Sequence, residues 1–152
     1  MKFKLLILLI CTYIIAFSTN LIPSLKHPDS NMSIFNLLAT SLFLITLLVF
    51  IKKASYSGKS NKGLKVFLIF GFTSGLVVYV IKIFEGTMMD YAILDMIASI
   101  QYPFYLMFTT PLFGVNYLFD INYETFSLLM SAVYILVFIL IMSFKKVDTQ
   151  NV

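Results

Sequence analysis

The chain is poor in the residue types from which most catalytic and metal-binding sites are built. Its 152 residues include one cysteine, one histidine, no arginine and no tryptophan. Cys11 has no partner for an internal disulfide, and a Cys/His zinc site needs more ligands than Cys11 and His27 supply. A serine–histidine–aspartate triad would depend on His27, which stands beside Pro28 in a polar loop where we expect it to be solvated. Without a glycine-rich phosphate loop or an H-E-x-x-H motif, the sequence predicts no catalytic residue, no metal and no cofactor.

Charged residues are also scarce. The chain is 12% charged and 60% hydrophobic, whereas soluble domains are about 25% charged. A soluble fold of this composition would expose large apolar patches, so lipid is the expected solvent for most of the chain. The absence of arginine removes the bidentate fork that reads bases, and we expect no nucleic-acid partner.

Four apolar runs are long enough to cross a bilayer as helices. They cover residues 5–22, 34–51, 66–84 and 126–144, and roughly 17 residues or more are needed at 1.5 Å each. The sequence therefore predicts an all-α membrane protein, a four-transmembrane-helix bundle that forms one integral membrane domain over residues 1–152. The first run also has the features of a signal peptide, and cleavage after residue 18 is left open as an alternative.

The positions of the lysines give an orientation. Nine of the eleven fall in three clusters at the ends of these runs, namely Lys2, Lys4, Lys52, Lys53, Lys59, Lys62, Lys65, Lys145 and Lys146. Six of the seven acids lie in the segments on the other side, so the positive-inside rule predicts a multi-pass protein of the cell (plasma) membrane with both termini cytoplasmic. Lysine without arginine suggests an AT-rich bacterial genome. The basic loop, residues 52–65, is predicted to bind anionic lipids at about 1 kcal/mol per lysine, through Lys52, Lys53, Lys59, Lys62 and Lys65.

Residues 86–125 are predicted to form an external segment between the third and fourth spans. Residues 96–119 carry no charge and could be a kinked fifth span, but Pro103 and Pro111 interrupt a helix and free backbone groups that lipid cannot satisfy. A fifth crossing would also move Lys145 and Lys146 outside, against the positive-inside bias. We therefore expect a short amphipathic helix near residues 90–101, followed by a non-helical stretch that is re-entrant or interfacial.

Some residues of the runs and of the external segment have a predicted packing or interfacial role. Gly71 and Gly75 form a small-xxx-small step that allows close approach of another helix. Several tyrosines suit the headgroup region, where an aromatic ring can be half hydrated, and these are Tyr91, Tyr102, Tyr105, Tyr117 and Tyr123.

The external acids and nearby amides are the candidate binding residues, namely Asp90, Asp95, Gln101, Tyr102, Asn116, Asp120 and Glu124. Asp120 and Glu124 are four residues apart and could share a helix face. The lack of catalytic chemistry and the apolar, aromatic external segment favour a non-enzymatic accessory, regulatory or immunity-type protein that contacts another membrane protein or a second copy of itself. The alternative is a small channel or transporter for a neutral or cationic solute, with the external acids attracting the ion.

Overall fold

The structure, a computed structural model that describes residues 2–55 and 62–148, is helical along most of this part of the chain. Its α-helices are α1 (Lys2–Lys26), α2 (Ile34–Ser55), α3 (Lys62–Met89), α4 (Ala92–Ala98), α5 (Gln101–Phe104) and α6 (Tyr123–Asp148). A π-helical turn (Tyr105–Thr109) and a 3-10 helix (Thr110–Leu118) lie between α5 and α6. In α1, α2, α3 and α6 the mean hydropathy reaches 2.2 to 2.5, and each is long and apolar enough to cross a membrane. The predicted all-helical chain with four helices able to span a bilayer is confirmed.

The long helices extend beyond the predicted spans. The first span is predicted to end at residue 22, but α1 continues through Pro23 to Lys26. A proline inside a helix removes one backbone hydrogen bond without preventing the next turn from forming. Residues 56–61 of the basic loop, with Lys59, lie outside the described residues.

The long helices form two antiparallel pairs. In the first, α1 packs against α2, and the rings of Tyr13 and Phe43 meet edge to face at 5.7 Å. In the second, Gly71 and Gly75 of α3 face α6. A Cβ atom added to Gly71 would lie 2.7 Å from the ring of Tyr134, so the absence of a side chain allows the two backbones to approach.

The two pairs are held together by residues 101–118, which we call the inserted segment. It consists of α5, the π-helical turn and the 3-10 helix; the first two pack on α3, while the 3-10 helix packs on α1 and α2. Tyr105, Phe108, Leu112 and Phe113 are buried within it at 0 to 6% exposure. The segment therefore lies among the long helices rather than on their outer surface.

The helical form of the inserted segment contradicts the predicted non-helical stretch. Pro103 falls in the first turn of α5, and Pro111 falls in the first turn of the 3-10 helix. The N–H groups of a first turn have no partner within their own helix, so a proline there costs little. The prolines mark where one helical piece gives way to the next.

Two ends of the bundle can be distinguished. The lysine end contains the start of α1 and α3 and the end of α2, with Lys4, Lys53 and Lys62. The other end, called the His27 end, contains the close of α1 and the start of α2 and α6. The inserted segment leaves the bundle at the His27 end, where Asp120 contacts His27 at 3.1 Å.

Candidate functional site

The external acids differ in exposure and in local conformation. Asp90, Asp95 and Asp120 are exposed, while Glu124 is half-buried. Asp120 has a positive φ of 48° in the loop before α6, so it is not on a helix and does not share a face with Glu124. That part of the prediction is wrong, because α6 begins only at Tyr123. In residues 2–55 and 62–148, no group of three or more histidine, cysteine, aspartate or glutamate residues could hold a metal ion.

The candidate amides are buried and differ in their bonding. Asn116 is fully buried, and its side chain both donates to the Ile121 carbonyl at 2.8 Å and accepts from the Ile121 N–H at 3.1 Å. This amide closes the loop that leads into α6. Gln101 is 2% exposed, and its Oε1 has no hydrogen-bond partner among the described residues. Tyr102, beside it, is 55% exposed.

His27 is not solvated, contrary to the sequence-based expectation. Its side chain is 5% exposed. Because α1 continues to Lys26, His27 is carried against the 3-10 helix, where its ring packs on Phe113 with 5.6 Å between ring centres. Its Nε2 lies 3.1 Å from the Asp120 carboxylate. Through these contacts His27 ties the end of α1 to Phe113 in the 3-10 helix and to Asp120 just beyond its end.

A buried polar network joins α1, α2 and the 3-10 helix. The Asn20 amide donates to the Thr40 hydroxyl at 2.8 Å and to the Pro111 carbonyl at 3.3 Å, and Thr40 donates to the same carbonyl at 3.0 Å. The Asn36 amide in turn donates to the Asn20 side-chain oxygen at 3.1 Å and to the Thr19 carbonyl at 2.9 Å. Asn20 and Thr40 are fully buried, and an amide buried in this way is stable only when its hydrogen bonds are made.

The orientation of Asn36 is set at the start of α2. Ser33 precedes the helix, and both its N–H and its hydroxyl donate to the Asn36 side-chain oxygen, at 2.9 and 2.8 Å. This is the N3-to-N-cap half of a capping box. With its oxygen held there, the Asn36 amide nitrogen points toward α1, so the helix cap and the buried network are one arrangement.

Further side chains bind the backbone of the inserted segment. The Tyr13 and Tyr134 hydroxyls donate to the carbonyls of Met107 and Phe108, each at 2.8 Å, and the Ser74 hydroxyl donates to the carbonyl of Phe104 at 3.0 Å. Where a π-helical turn joins a 3-10 helix, the regular hydrogen bonding of the backbone changes, and carbonyls need other partners. Three of the long helices supply them.

Tyr105 is the tyrosine that the sequence places wrongly. It was expected in the headgroup region, but it is 5% exposed and its hydroxyl donates to the Ser24 carbonyl at 3.0 Å. Its ring also packs edge to face on Tyr123, at 5.6 Å between centres. It holds the inserted segment against the end of α1.

The network residues on α1 and α2 were missed because every candidate binding residue was taken from the external segment. Asn20 is uncharged and stands inside an apolar run, and Asn36 stands at the start of another. Polar side chains within a membrane span are costly unless paired, so their position was a usable signal. The partner on Pro111 could not be foreseen, since it lies 91 residues from Asn20.

The most exposed apolar part of this end of the molecule is α4. It contacts the bundle through one side, where Leu94 is half-buried and Ala98 is buried. The remaining large apolar side chains are exposed, with Ile93 at 76% and Met96 at 75%. We call this surface the α4 ridge, and it consists of Tyr91, Ile93, Met96, Ile97, Ile100 and Tyr102.

Comparison with known proteins finds no matching family model, no similar curated protein and no similar solved structure. A fold does not by itself imply a function, so the function has to be argued from the surfaces and sites of this chain.

Proposed function

We propose that the chain is a multi-pass protein of a bacterial cell membrane, with four spans, both termini cytoplasmic and residues 86–125 on the outer side. The charge distribution over the bundle supports this orientation. Lys4, Lys53 and Lys62 lie at the lysine end, whereas Asp29 and Asp120 lie at the His27 end. Lysine is retained on the cytoplasmic side of membrane helices.

In this orientation the inserted segment is re-entrant. It leaves the bundle at the outer side, beside His27. Its deepest carbonyls bond with Tyr13, Ser74 and Tyr134, which stand near the middle of three predicted spans. A backbone at this depth must be covered by protein, and here the long helices provide the cover and the hydrogen bonds.

The function that the geometry supports best is contact with another membrane protein, as an accessory, regulatory or immunity-type partner. The observation that carries this proposal is the α4 ridge, where Ile93 and Met96 are about three-quarters exposed at the outer end of the bundle. Exposed apolar surface at the end of a bundle, flanked by the acids Asp90 and Asp95, has the composition of an apolar contact with a polar rim.

The interior favours contact over transport or catalysis. Both N–H groups of the Asn20 and Asn36 side-chain amides are used in bonds to their neighbours. Of the candidate acids, Asp90, Asp95 and Asp120 are exposed rather than inside the bundle. A channel for a cation would need oxygens free to replace its water, and the side-chain oxygen of Asn36 already accepts two bonds and that of Asn20 one.

Site-specific photo-crosslinking in native membranes tests the proposal. A photoreactive residue at Ile93 or at Met96 is expected to give one dominant adduct with a second protein. Ile45 and Leu136 are matched controls, since each is 60% exposed on the side of a long helix, and they are expected to give only diffuse lipid adducts. Tyr102→Ala should weaken the adduct formed from Ile93.

Three results would each contradict a part of the proposal. If all four positions give the same diffuse pattern, the α4 ridge is covered by lipid and no partner binds there. If the purified protein moves an ion across liposomes and Asp120→Asn changes that flux, the chain is a channel or transporter. A reporter fused after Val152 that is active only outside the cell would overturn the orientation.

A further inference from the structure

A cavity of about 690 Å³ lies between α1, α2 and α3 in the half of the bundle nearer the lysine end. The inserted segment separates the two helix pairs nearer the His27 end, and α1 and α3 make little direct contact. Below the segment, the space is lined by aliphatic and aromatic side chains such as Leu9, Leu47, Phe50 and Leu64. Its volume is in the range of ligand sites, about 300–1,000 Å³.

The inner limit of the cavity is formed by Tyr13 and Phe67, which are attached to the inserted segment. The Tyr13 hydroxyl already donates to the Met107 carbonyl at 2.8 Å, and the Phe67 ring packs on the tilted ring of Phe108 with 5.4 Å between ring centres. A polar ligand in the cavity would therefore lose its hydration, and the Tyr13 O–H would not be free to donate a hydrogen bond to it. The cavity suits a purely apolar group.

The cavity is open along α1. Three of its lining residues are substantially exposed, namely Leu6 at 41%, Ile10 at 50% and Ile14 at 54%. In the proposed membrane orientation this opening faces the hydrocarbon of the inner leaflet, so a long flexible chain can enter from the side without passing through water.

The end of the cavity nearest the cytoplasm is basic. Lys53 stands one helical turn beyond Phe50 on α2, and Lys62 adjoins the lining residue Gly63. Lys62 is exposed and Lys53 is half-buried. An apolar cleft that ends in lysines at headgroup level matches a phospholipid with a negative headgroup.

We propose that this cavity binds one acyl chain of an anionic phospholipid of the inner leaflet, with the phosphate between Lys53 and Lys62. The inference rests on the proposed membrane orientation. A phospholipid held in this way is a specific ligand of the bundle, whereas the remaining apolar surface of the helices contacts any lipid of the bilayer.

The test uses phosphatidylglycerol with a photoactivatable group at the end of one chain, and phosphatidylcholine with the same labelled chain. Each is incorporated in vesicles containing the full-length protein, and the labelled residues are mapped by mass spectrometry. Phosphatidylglycerol is expected to label the cavity walls on α1, α2 and α3 above the other helix surfaces. Each lysine should favour it by about fivefold over phosphatidylcholine, so the double variant Lys53→Gln/Lys62→Gln should lose most of the preference.

Gly63 allows the cavity to be filled selectively. A side chain at Gly63 has open space, with no other atom within 4 Å of its Cβ, and the same holds for Gly86 at the opposite end of α3. Gly63→Phe, or the smaller Gly63→Leu, is expected to reduce labelling of the cavity walls at least fivefold. Gly86→Phe is the matched control and should leave the labelling unchanged.

The inference is overturned if the labels spread evenly over all lipid-facing surfaces, or if Gly63→Phe and Gly63→Leu both leave the pattern as it is. Equal labelling by the two lipids would refute the role of the lysines. A separate measurement, extraction of membranes with alkaline carbonate, tests whether the chain is integrated in the bilayer at all. Release of the protein by carbonate would remove the proposed function, whereas the outcomes above concern only the cavity.

Discussion

Replacing Gly114 by alanine tests how the inserted segment is held. A Cβ atom at this position would clash with the backbone carbonyl of Asn36, whose carbon would lie 2.5 Å away, and with the Thr40 hydroxyl. Gly114 has no positive φ, so alanine can adopt its backbone conformation. The loss of stability therefore comes from fitting one methyl group between the 3-10 helix and α2, and not from backbone strain.

The magnitude follows from what must move. The clash involves the backbone of α2, so rotation of a side chain cannot relieve it, and overpacking of this kind costs about 1–3 kcal/mol. Moving the 3-10 helix away from α2 would lengthen the bond that Thr40 of α2 makes to the Pro111 carbonyl, which contributes about 0.5–1.5 kcal/mol. The higher helix propensity of alanine returns at most about 1 kcal/mol. We expect Gly114→Ala to lower the free energy of unfolding by about 2–4 kcal/mol.

Unfolding with sodium dodecyl sulfate in mixed micelles, followed through the near-ultraviolet circular dichroism of the tyrosines, measures this difference. Gly86→Ala is the control, because a Cβ there meets nothing within 4 Å, and it should be neutral or stabilising by up to about 1 kcal/mol. If Gly114→Ala unfolds within about 0.5 kcal/mol of the unmodified protein, the close packing of the 3-10 helix on α2 is wrong.

Three further substitutions probe the other contacts, each measured by the same unfolding assay. Tyr134→Phe keeps the ring but removes the bond to the Phe108 carbonyl, and it should cost about 1 kcal/mol; no change would mean that this carbonyl has another partner. Asn20→Ala removes two donors from the buried network, including the bond to Pro111, with an expected loss of about 1–2 kcal/mol. Gly75→Ala would drive a methyl group into the backbone of α6 and should cost about 1–3 kcal/mol, so a variant as stable as the unmodified protein would contradict the close approach of α3 and α6.

The four long helices could be predicted from the sequence because their signal is local. A run of apolar residues flanked by lysines indicates a helix of spanning length whatever the rest of the chain does. The ends were less predictable. The helix α1 continues past Pro23, and the His27 side chain is buried as a result, although the charged residues Lys26 and Asp29 stand close to it in the sequence.

The inserted segment could not be predicted in the same way, because its conformation depends on distant residues. Pro103 and Pro111 argue locally against a helix. The change of helix type is stabilised by bonds from distant side chains, including those of Tyr13 and Asn20, about 90 residues earlier in the chain. Asn20 and Asn36 indicate that a buried hydrogen-bond partner exists, since an amide in an apolar run needs one. The sequence does not say that the partner is a proline carbonyl.

The distribution of satisfied polar groups divides the inserted segment into two parts. From Phe104 to Pro111 its carbonyls bond with side chains of α1, α2, α3 and α6, so this part is held on all sides. At its start, Gln101 is buried, and its Oε1 has no partner among the described residues. Gln101 lies between α4 and the well-bonded part of the segment, and in the part of the chain that the structure describes the bonds from long-helix side chains to carbonyls do not extend to α4. The α4 ridge, which we propose as the contact surface, therefore lies outside the part of the segment that the long helices hold.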